Sequence, residues 1–267
     1  MQFYKYSGSG NDFIFIDNRK GEISIRPSEV VEWCKRREGI GADGVVLIGA
    51  STDCDYSLRI FNADGSEAEM CGNATRCSVH FAFNIIKIKD QPEFSIETMN
   101  GKYTGVAVDE SEVKVKMTEL YDVDKINLSD LSGKQALFLN TGVPHAVIQV
   151  SSVEDVNVKN IGSAIRHDVR FPNGTNVDFF EVIDPVKQVI KLRVYERGVE
   201  DETLCCGTGV MATAVSCSKF FGWTGEIQVY VKGGLLKAIV DKDLKELYFQ
   251  GAVKMKYIGE IYGNTSR

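Results

Sequence analysis

Two short stretches of this 267-residue chain place a cysteine directly before a glycine, at what reads as the start of a helix. The first is Glu67-Ala68-Glu69-Met70-Cys71-Gly72-Asn73-Ala74, and the second is Glu202-Thr203-Leu204-Cys205-Cys206-Gly207-Thr208-Gly209. A cysteine in that position meets backbone N–H groups that have no helical acceptor and the positive end of the helix dipole, and both favour thiolate over thiol. Such settings lower a thiol pKa from about 8.5 into the range of about 3.5–7.5. The same N–H groups can hold a carboxylate, and the glycine lets a ligand come close to the backbone. One turn therefore offers both a base and an anion site.

Three readings of the pair compete. Cys71 and Cys206 can be small buried residues at tight turns, which is the ordinary place for a lone cysteine. They can be zinc ligands, although neither Cys71/Cys77 nor Cys205/Cys206 has the Cys-x2–4-Cys spacing and only three histidines are present. Or they can be the two bases of a racemase or epimerase, one thiolate removing a proton from carbon while the opposite thiol returns one to the other face. Only the third reading accounts for the turn occurring twice. The carbanion it requires needs N–H dipoles in a dry site. No glycine-rich cofactor fingerprint or lysine suited to pyridoxal phosphate stands out, which fits a cofactor-free reaction without a metal.

The elements that must carry these turns follow from the apolar pattern. Phe3–Tyr6 and Phe13–Asp17 read as strands about a Gly-rich turn, with Asn11 and Asp12 where the turn feeds the second strand. Ser28–Arg37 has helical spacing, and Glu38–Gly44 is a Gly-rich loop before the strand Val45–Ile48; it lacks the ending of a phosphate loop. Tyr56–Phe61 leads to the first Cys-Gly turn, Arg76–Ile86 reads as a buried helix, and the strands Glu93–Thr98, Tyr103–Val108 and Glu112–Met117 follow. Thr118–Lys134 reads as polar and irregular. The second half offers the strands Ala136–Asn140 and Ala146–Val150, a helix over Lys159–His167, the strands Val177–Ile183 and Val189–Tyr195, and a second apolar helix over Val210–Phe220. Glu246-Leu-Tyr-Phe-Gln-Gly251 resembles a protease-cleavage tag but lies inside a continuing strand pattern, and it is read as native strand.

The halves align on Leu58-Arg59 with Leu192-Arg193, Cys71-Gly72 with Cys206-Gly207, and Asn100-Gly101 with Gly233-Gly234. A duplication of about 130 residues suits two similar domains rather than a solenoid. The expected division is 1–118, 119–255 and a terminal segment 256–267 that returns to the first domain. A net charge of −6, without clustered basic residues, argues against nucleic acid and for a small-molecule substrate. No apolar run approaches a membrane span, and the expected setting is cytoplasmic. Seven cysteines in a chain of this size are expected as reduced thiols rather than a disulfide framework.

Six motifs in order resemble the diaminopimelate epimerase family: Gly8-Ser-Gly10-Asn11-Asp12-Phe13, Arg37–Gly44, Phe61–Asn73, Gly142-Val143-Pro144-His145, Phe171–Val177, and Glu196-Arg197-Gly198 with Glu202–Gly209. The resemblance covers nearly the whole chain. It implies an α/β (α+β) fold of two pseudo-symmetric domains, each a curved mixed or antiparallel sheet wrapped around a central helix. It also implies pyridoxal-phosphate-independent interconversion of LL- and meso-diaminopimelate in lysine and peptidoglycan precursor biosynthesis. By motif position Cys71 and Cys206 are the acid/base pair, and His145 and Glu196 support the thiols, with Glu196 also near the substrate's ammonium. Gly72, Asn73, Gly207 and Thr208 hold the reacting carboxylate, while Asn11, Asn62, Asn176 and Arg197 recognise the polar ends of the substrate. A homodimer is left open.

Two positions depart from the family pattern. Val143 replaces a common asparagine before Pro144-His145, and Cys205 stands beside Cys206 where a small apolar residue is usual. Spacing to Gly207-Thr208-Gly209 singles out Cys206, with Cys205 expected to face the interior. The alternatives are a proline-racemase-like or other amino-acid racemase of the same fold, and a non-catalytic amino-acid-binding protein.

Overall fold

The computed structural model describes residues 1–117, 120–124 and 135–262. The chain forms two compact units, one of Met1–Val115 with the chain from Gly251 onward and the other of Lys116–Gln250.

In the first unit β1 (Gln2–Gly8) and β2 (Asn11–Asn18) form an antiparallel hairpin. Its two turn residues, Ser9 and Gly10, both have positive φ (52° and 92°), as a two-residue turn matched to strand twist requires. Helix α1 (Pro27–Cys34) then crosses to β3 (Gly44–Gly49), which pairs parallel with β2 and antiparallel with β4 (Tyr56–Asn62). Pro27 opens α1 because a missing N–H costs nothing in a first turn. A two-residue strand β5 (Glu67–Ala68) leads to α2 (Gly72–His80), which continues through a π-helical turn at Phe81–Ile85. The strands β6 (Glu93–Thr98), β7 (Gly101–Ala107) and β8 (Glu112–Lys116) form a meander, with β6 parallel to β4.

The second unit repeats that order. After β9 (Tyr121–Asp124), the hairpin β10 (Gln135–Asn140) and β11 (Pro144–Gln149) is followed by α3 (Val158–Arg166) and β12 (Asn176–Asp184), parallel to β11. Next come β13 (Val189–Glu196), the short β14 (Asp201–Thr203), α4 (Gly207–Phe221), β15 (Gly225–Val231) parallel to β13, and β16 (Gly234–Val240). The last strand, β17 (Leu247–Glu260), begins in the second unit and continues in the first, where it pairs with β1 on one side and β8 on the other. The strands of the first unit thereby close on themselves around α2. The tag-like stretch lies in β17 and its turn, with Leu247 and Phe249 buried.

Strand alternation sorts side chains into two layers. Phe13 and Phe15 of β2 and Val46 and Ile48 of β3 join the cluster around α2, whereas Ile14, Ile16, Val45 and Leu47 pack on the opposite face with Val30 and Cys34 of α1. Both faces are buried, so these strands read as continuous apolar runs. Each fully buried side chain of this size stabilises by about 1.5–3 kcal/mol, and a one-residue slip would exchange the two layers.

One polar device recurs in both units. Arg59 of β4 makes a two-pronged contact with Glu67 of β5 at 2.7 and 2.8 Å, and Arg193 of β13 makes the same contact with Glu202 of β14 at 2.7 and 2.8 Å. The fork of the guanidinium matches the carboxylate and sets the direction of the short strand that delivers each Cys-Gly turn. Of the segment read as irregular, residues 121–124 are β9; 118, 119 and 125–134 lie outside the described residues.

Candidate active site

Cys71 and Cys206 occupy equivalent positions as N-caps of α2 and α4, both with extended backbone (φ −142°, ψ 113° and φ −122°, ψ 110°). The first helical bonds are Thr75 N–H to Cys71 O and Val210 N–H to Cys206 O, both 2.9 Å. The N–H groups of Gly72, Asn73 and Ala74, and of Gly207, Thr208 and Gly209, thus precede the helical ladder and point outward from each helix start. Cys71 is half-buried against the α2 core, and Cys206 is 7 % exposed. Cys205 is buried as well.

In the first unit Asn73, the second residue of α2, donates its Nδ2 to Asn11 Oδ1 at 2.6 Å and accepts from the Arg76 guanidinium at 2.7 Å. Arg76 has no exposed surface and also donates to Ser9 Oγ (2.8 Å) and Ala252 O (3.2 Å). Asn11 donates to Asp43 (3.1 Å), whose other oxygen accepts from Arg36 (2.6 Å). Arg36 also clasps Asp12, which in turn meets the buried Lys5 at 2.8 Å. Asn62 lies apart from this chain: it is exposed and donates to Ser66 Oγ across its own turn, at 3.0 Å.

In the second unit His145, Asn176, Thr208, Cys206 and Arg197 are linked by contact. Parallel pairing sets His145 of β11 beside Asn176 of β12, and the two-residue period of a strand puts Asp178 on the same face as Asn176. His145 Nδ1 lies 2.6 Å from Asp178 Oδ2, with neither side chain exposed, and its Nε2 lies 3.0 Å from Thr208 Oγ1. Thr208 Oγ1 is 3.3 Å from Cys206 Sγ, and the Thr208 carbonyl accepts from buried Thr141 at 3.0 Å. Asn176 accepts the Arg197 backbone N–H at 2.8 Å and donates to Pro144 O at 3.2 Å, while the Arg197 guanidinium donates to Asn173 O at 3.1 Å.

The electrostatics of Cys206 run opposite to the expectation from its helix start. Burial, then the negative charges of Glu196 and Asp178, push the thiol well above the ordinary cysteine range, against the opposing pull of the Thr208 hydroxyl and the Gly209 N–H. Burial also raises the Glu196 carboxyl, with Asp178 adding to it and Thr203 and His145 opposing. The upward push on Cys206 favours its thiol form, an acid rather than a base.

Asp178, Thr141 and Arg76 lie outside the six motifs, and Asp43 lies within one of them without having been singled out. Asp178 carried one local signal, an acid inside the apolar run Val177–Phe180. Among the described residues no three His, Cys, Asp or Glu side chains cluster so as to hold a metal ion, and no helix is long and apolar enough to cross a membrane.

A family model described as Diaminopimelate epimerase matches residues 3–123 and 137–256. A protein of Aquifex aeolicus (strain VF5) named diaminopimelate epimerase is 38% identical over 98% of each chain. A protein of the same name from Chlorobaculum tepidum is 37% identical, covering 96% of this chain and 99% of its own. Among solved structures, the Bacillus anthracis phenazine biosynthesis protein of the PhzF family superposes with a TM-score of 0.76 over 98% of this chain and 99% of its own; at 15% identity it speaks for the fold.

Proposed function

Because the chain belongs to the diaminopimelate epimerase family, we propose that it interconverts LL- and meso-diaminopimelate without a cofactor, as a cytoplasmic isomerase of lysine and peptidoglycan precursor biosynthesis. The observation that carries the mechanism is the pair of cysteines capping equivalent helices in two units of the same topology. One thiolate takes the α-hydrogen as a proton, and the other thiol delivers its own proton to the opposite face of the carbon. Each turnover leaves the thiolate and thiol exchanged, so the reverse reaction uses the same pair.

The helix starts supply what the carbanion needs. The N–H groups at Gly72-Asn73 and Gly207-Thr208 bind the reacting carboxylate, into which the carbanion's charge delocalises, and such preorganised donors are worth about 2.7–4 kcal/mol each in comparable sites. His145 and Glu196 support the thiol of Cys206. Asn11, Asn62, Asn176 and Arg197 recognise the substrate's polar ends, with the planar guanidinium of Arg197 suited to the distal carboxylate. That second carboxylate separates diaminopimelate from proline.

Incubation with LL-diaminopimelate in deuterated water, with L-proline as a parallel arm, tests substrate and reaction together. Deuterium is expected at the α-carbon of diaminopimelate only; inversion of proline alone would overturn the substrate. Cys71→Ala and Cys206→Ala are each expected to lose at least about 10²–10⁴-fold in turnover with unchanged circular dichroism. Near-normal turnover by either variant would refute the two-thiol mechanism.

A further inference from the structure

We propose that Cys206, Thr208, His145 and Asp178 form a proton relay, in which the Thr208 hydroxyl carries the thiol's proton to His145 and Asp178 is the positioning residue that fixes the histidine to receive it. The proposal rests on the two-thiol reading above and adds the route by which a buried thiol becomes a base.

With Asp178 as a carboxylate, one placement of the protons satisfies all of these contacts together. A carboxylate accepts only, so Asp178 Oδ2 requires the proton on His145 Nδ1. The Arg197 N–H fixes Asn176 Oδ1, which leaves the Asn176 N–H end facing His145 Nε2 at 3.5 Å and marks Nε2 as the lone-pair side. The Thr208 hydroxyl, 3.0 Å away, must then donate to Nε2. Its oxygen is left to accept from the Cys206 thiol at 3.3 Å. The bond between Thr141 and the Thr208 carbonyl holds this residue in place at the helix start.

Transfer inverts the chain. The S–H bond of Cys206 breaks as an O–H bond forms on Thr208, while the original Thr208 O–H breaks and an N–H bond forms at Nε2. The products are a thiolate, an imidazolium and the unchanged Asp178 carboxylate, so the net charge of the cluster stays at one negative. Direct loss of the thiol proton to solvent would instead leave the cluster with two negative charges, beside Glu196. A serine-like triad uses the same logic with the hydroxyl as nucleophile; here the hydroxyl is the carrier.

The test uses the full-length protein without substrate, so it stands apart from the identity of the substrate. Alkylation of Cys206 by iodoacetamide, followed by peptide mass spectrometry across pH, reports thiolate formation. Thr208→Val keeps the backbone donor and the shape, and it is expected to slow Cys206 alkylation at least about ten-fold, with Cys71 alkylation within about two-fold of the parent. Thr208→Ser is expected to restore Cys206 to within about three-fold. The ring nitrogens of His145, observed by 15N NMR and assigned with His145→Gln, are expected to show the Nδ1–H tautomer in the parent and a shifted pattern in Asp178→Asn. A Thr208→Val variant that alkylates like the parent, as it would if Glu196 took the proton directly, overturns the relay. So does an Nε2–H tautomer in the parent protein.

Discussion

Asn73 donates an N–H to the Oδ1 of Asn11 at 2.6 Å, tying the first turn of α2 to the start of β2 across 62 residues of sequence. The two ends of this link are charged. Arg76 can only donate, and the Asp43 carboxyl, which also meets Arg36, accepts, so both amides are held in one orientation, with Oδ1 of Asn73 toward Arg76 and Nδ2 of Asn11 toward Asp43.

Residues joined in this way should not act independently. In a double-mutant cycle of Asn11→Ala and Asn73→Ala, a coupling of about 1–2 kcal/mol is expected in kcat/KM for diaminopimelate, within the range for directly bonded pairs. Additive losses in the double variant would show that the amides contribute separately.

Gly209 sits where a Cβ would lie 2.6 Å from Asp178 Oδ1 and 3.4 Å from the Cβ of Cys206. Alanine would gain about 1 kcal/mol in helix propensity, whereas overpacking costs about 1–3 kcal/mol, and the short Asp178 side chain has no room to swing while it holds His145. Gly209→Ala is expected to lower stability by up to about 2 kcal/mol in urea unfolding and to cut turnover more than ten-fold. A variant of unchanged stability and activity would show that the carboxylate moves freely.

Asp12 supplies a pH dependence with a definite sign. Burial by itself would raise its carboxyl, but hydrogen bonds and charge from Arg36 and Lys5 outweigh it and hold the group down at about 2. A lowered carboxyl contributes stability that is present above its unfolded value near 4 and is lost as pH falls through about 2. Allowing for the exposed Arg36, the contribution is about 1–2 kcal/mol. Between pH 5 and 2 the parent should lose more stability than Asp12→Asn by that amount; parallel urea midpoints would count against the pairing.

Much of this organisation is local and was legible in the residues. The alternation of Phe13, Ile14, Phe15 and Ile16 marks a strand buried on both faces, and the repeated Cys-Gly steps mark two helix starts, because backbone period and capping are properties of a few consecutive residues. The aligned Arg59 and Arg193, with Glu67 and Glu202, foreshadowed the duplicated clasp. The turn contact of Asn62 with Ser66 is equally local, four residues apart in the chain.

Tertiary structure decided the state of the thiol. A helix start alone predicts a depressed Cys206, since its dipole is visible in the local chain, but burial outweighs it, reinforced by the carboxylates of β12 and β13. Asp178 becomes the partner of His145 only through the parallel register of β11 with β12, a pairing across 33 residues that no local pattern encodes. The sequence by itself determined which two cysteines stand at the helix starts, because a repeated motif carries that information along the chain. Which way the Cys206 thiol is pushed depended on burial and on charges brought together by strand pairing, and only the folded chain decides those.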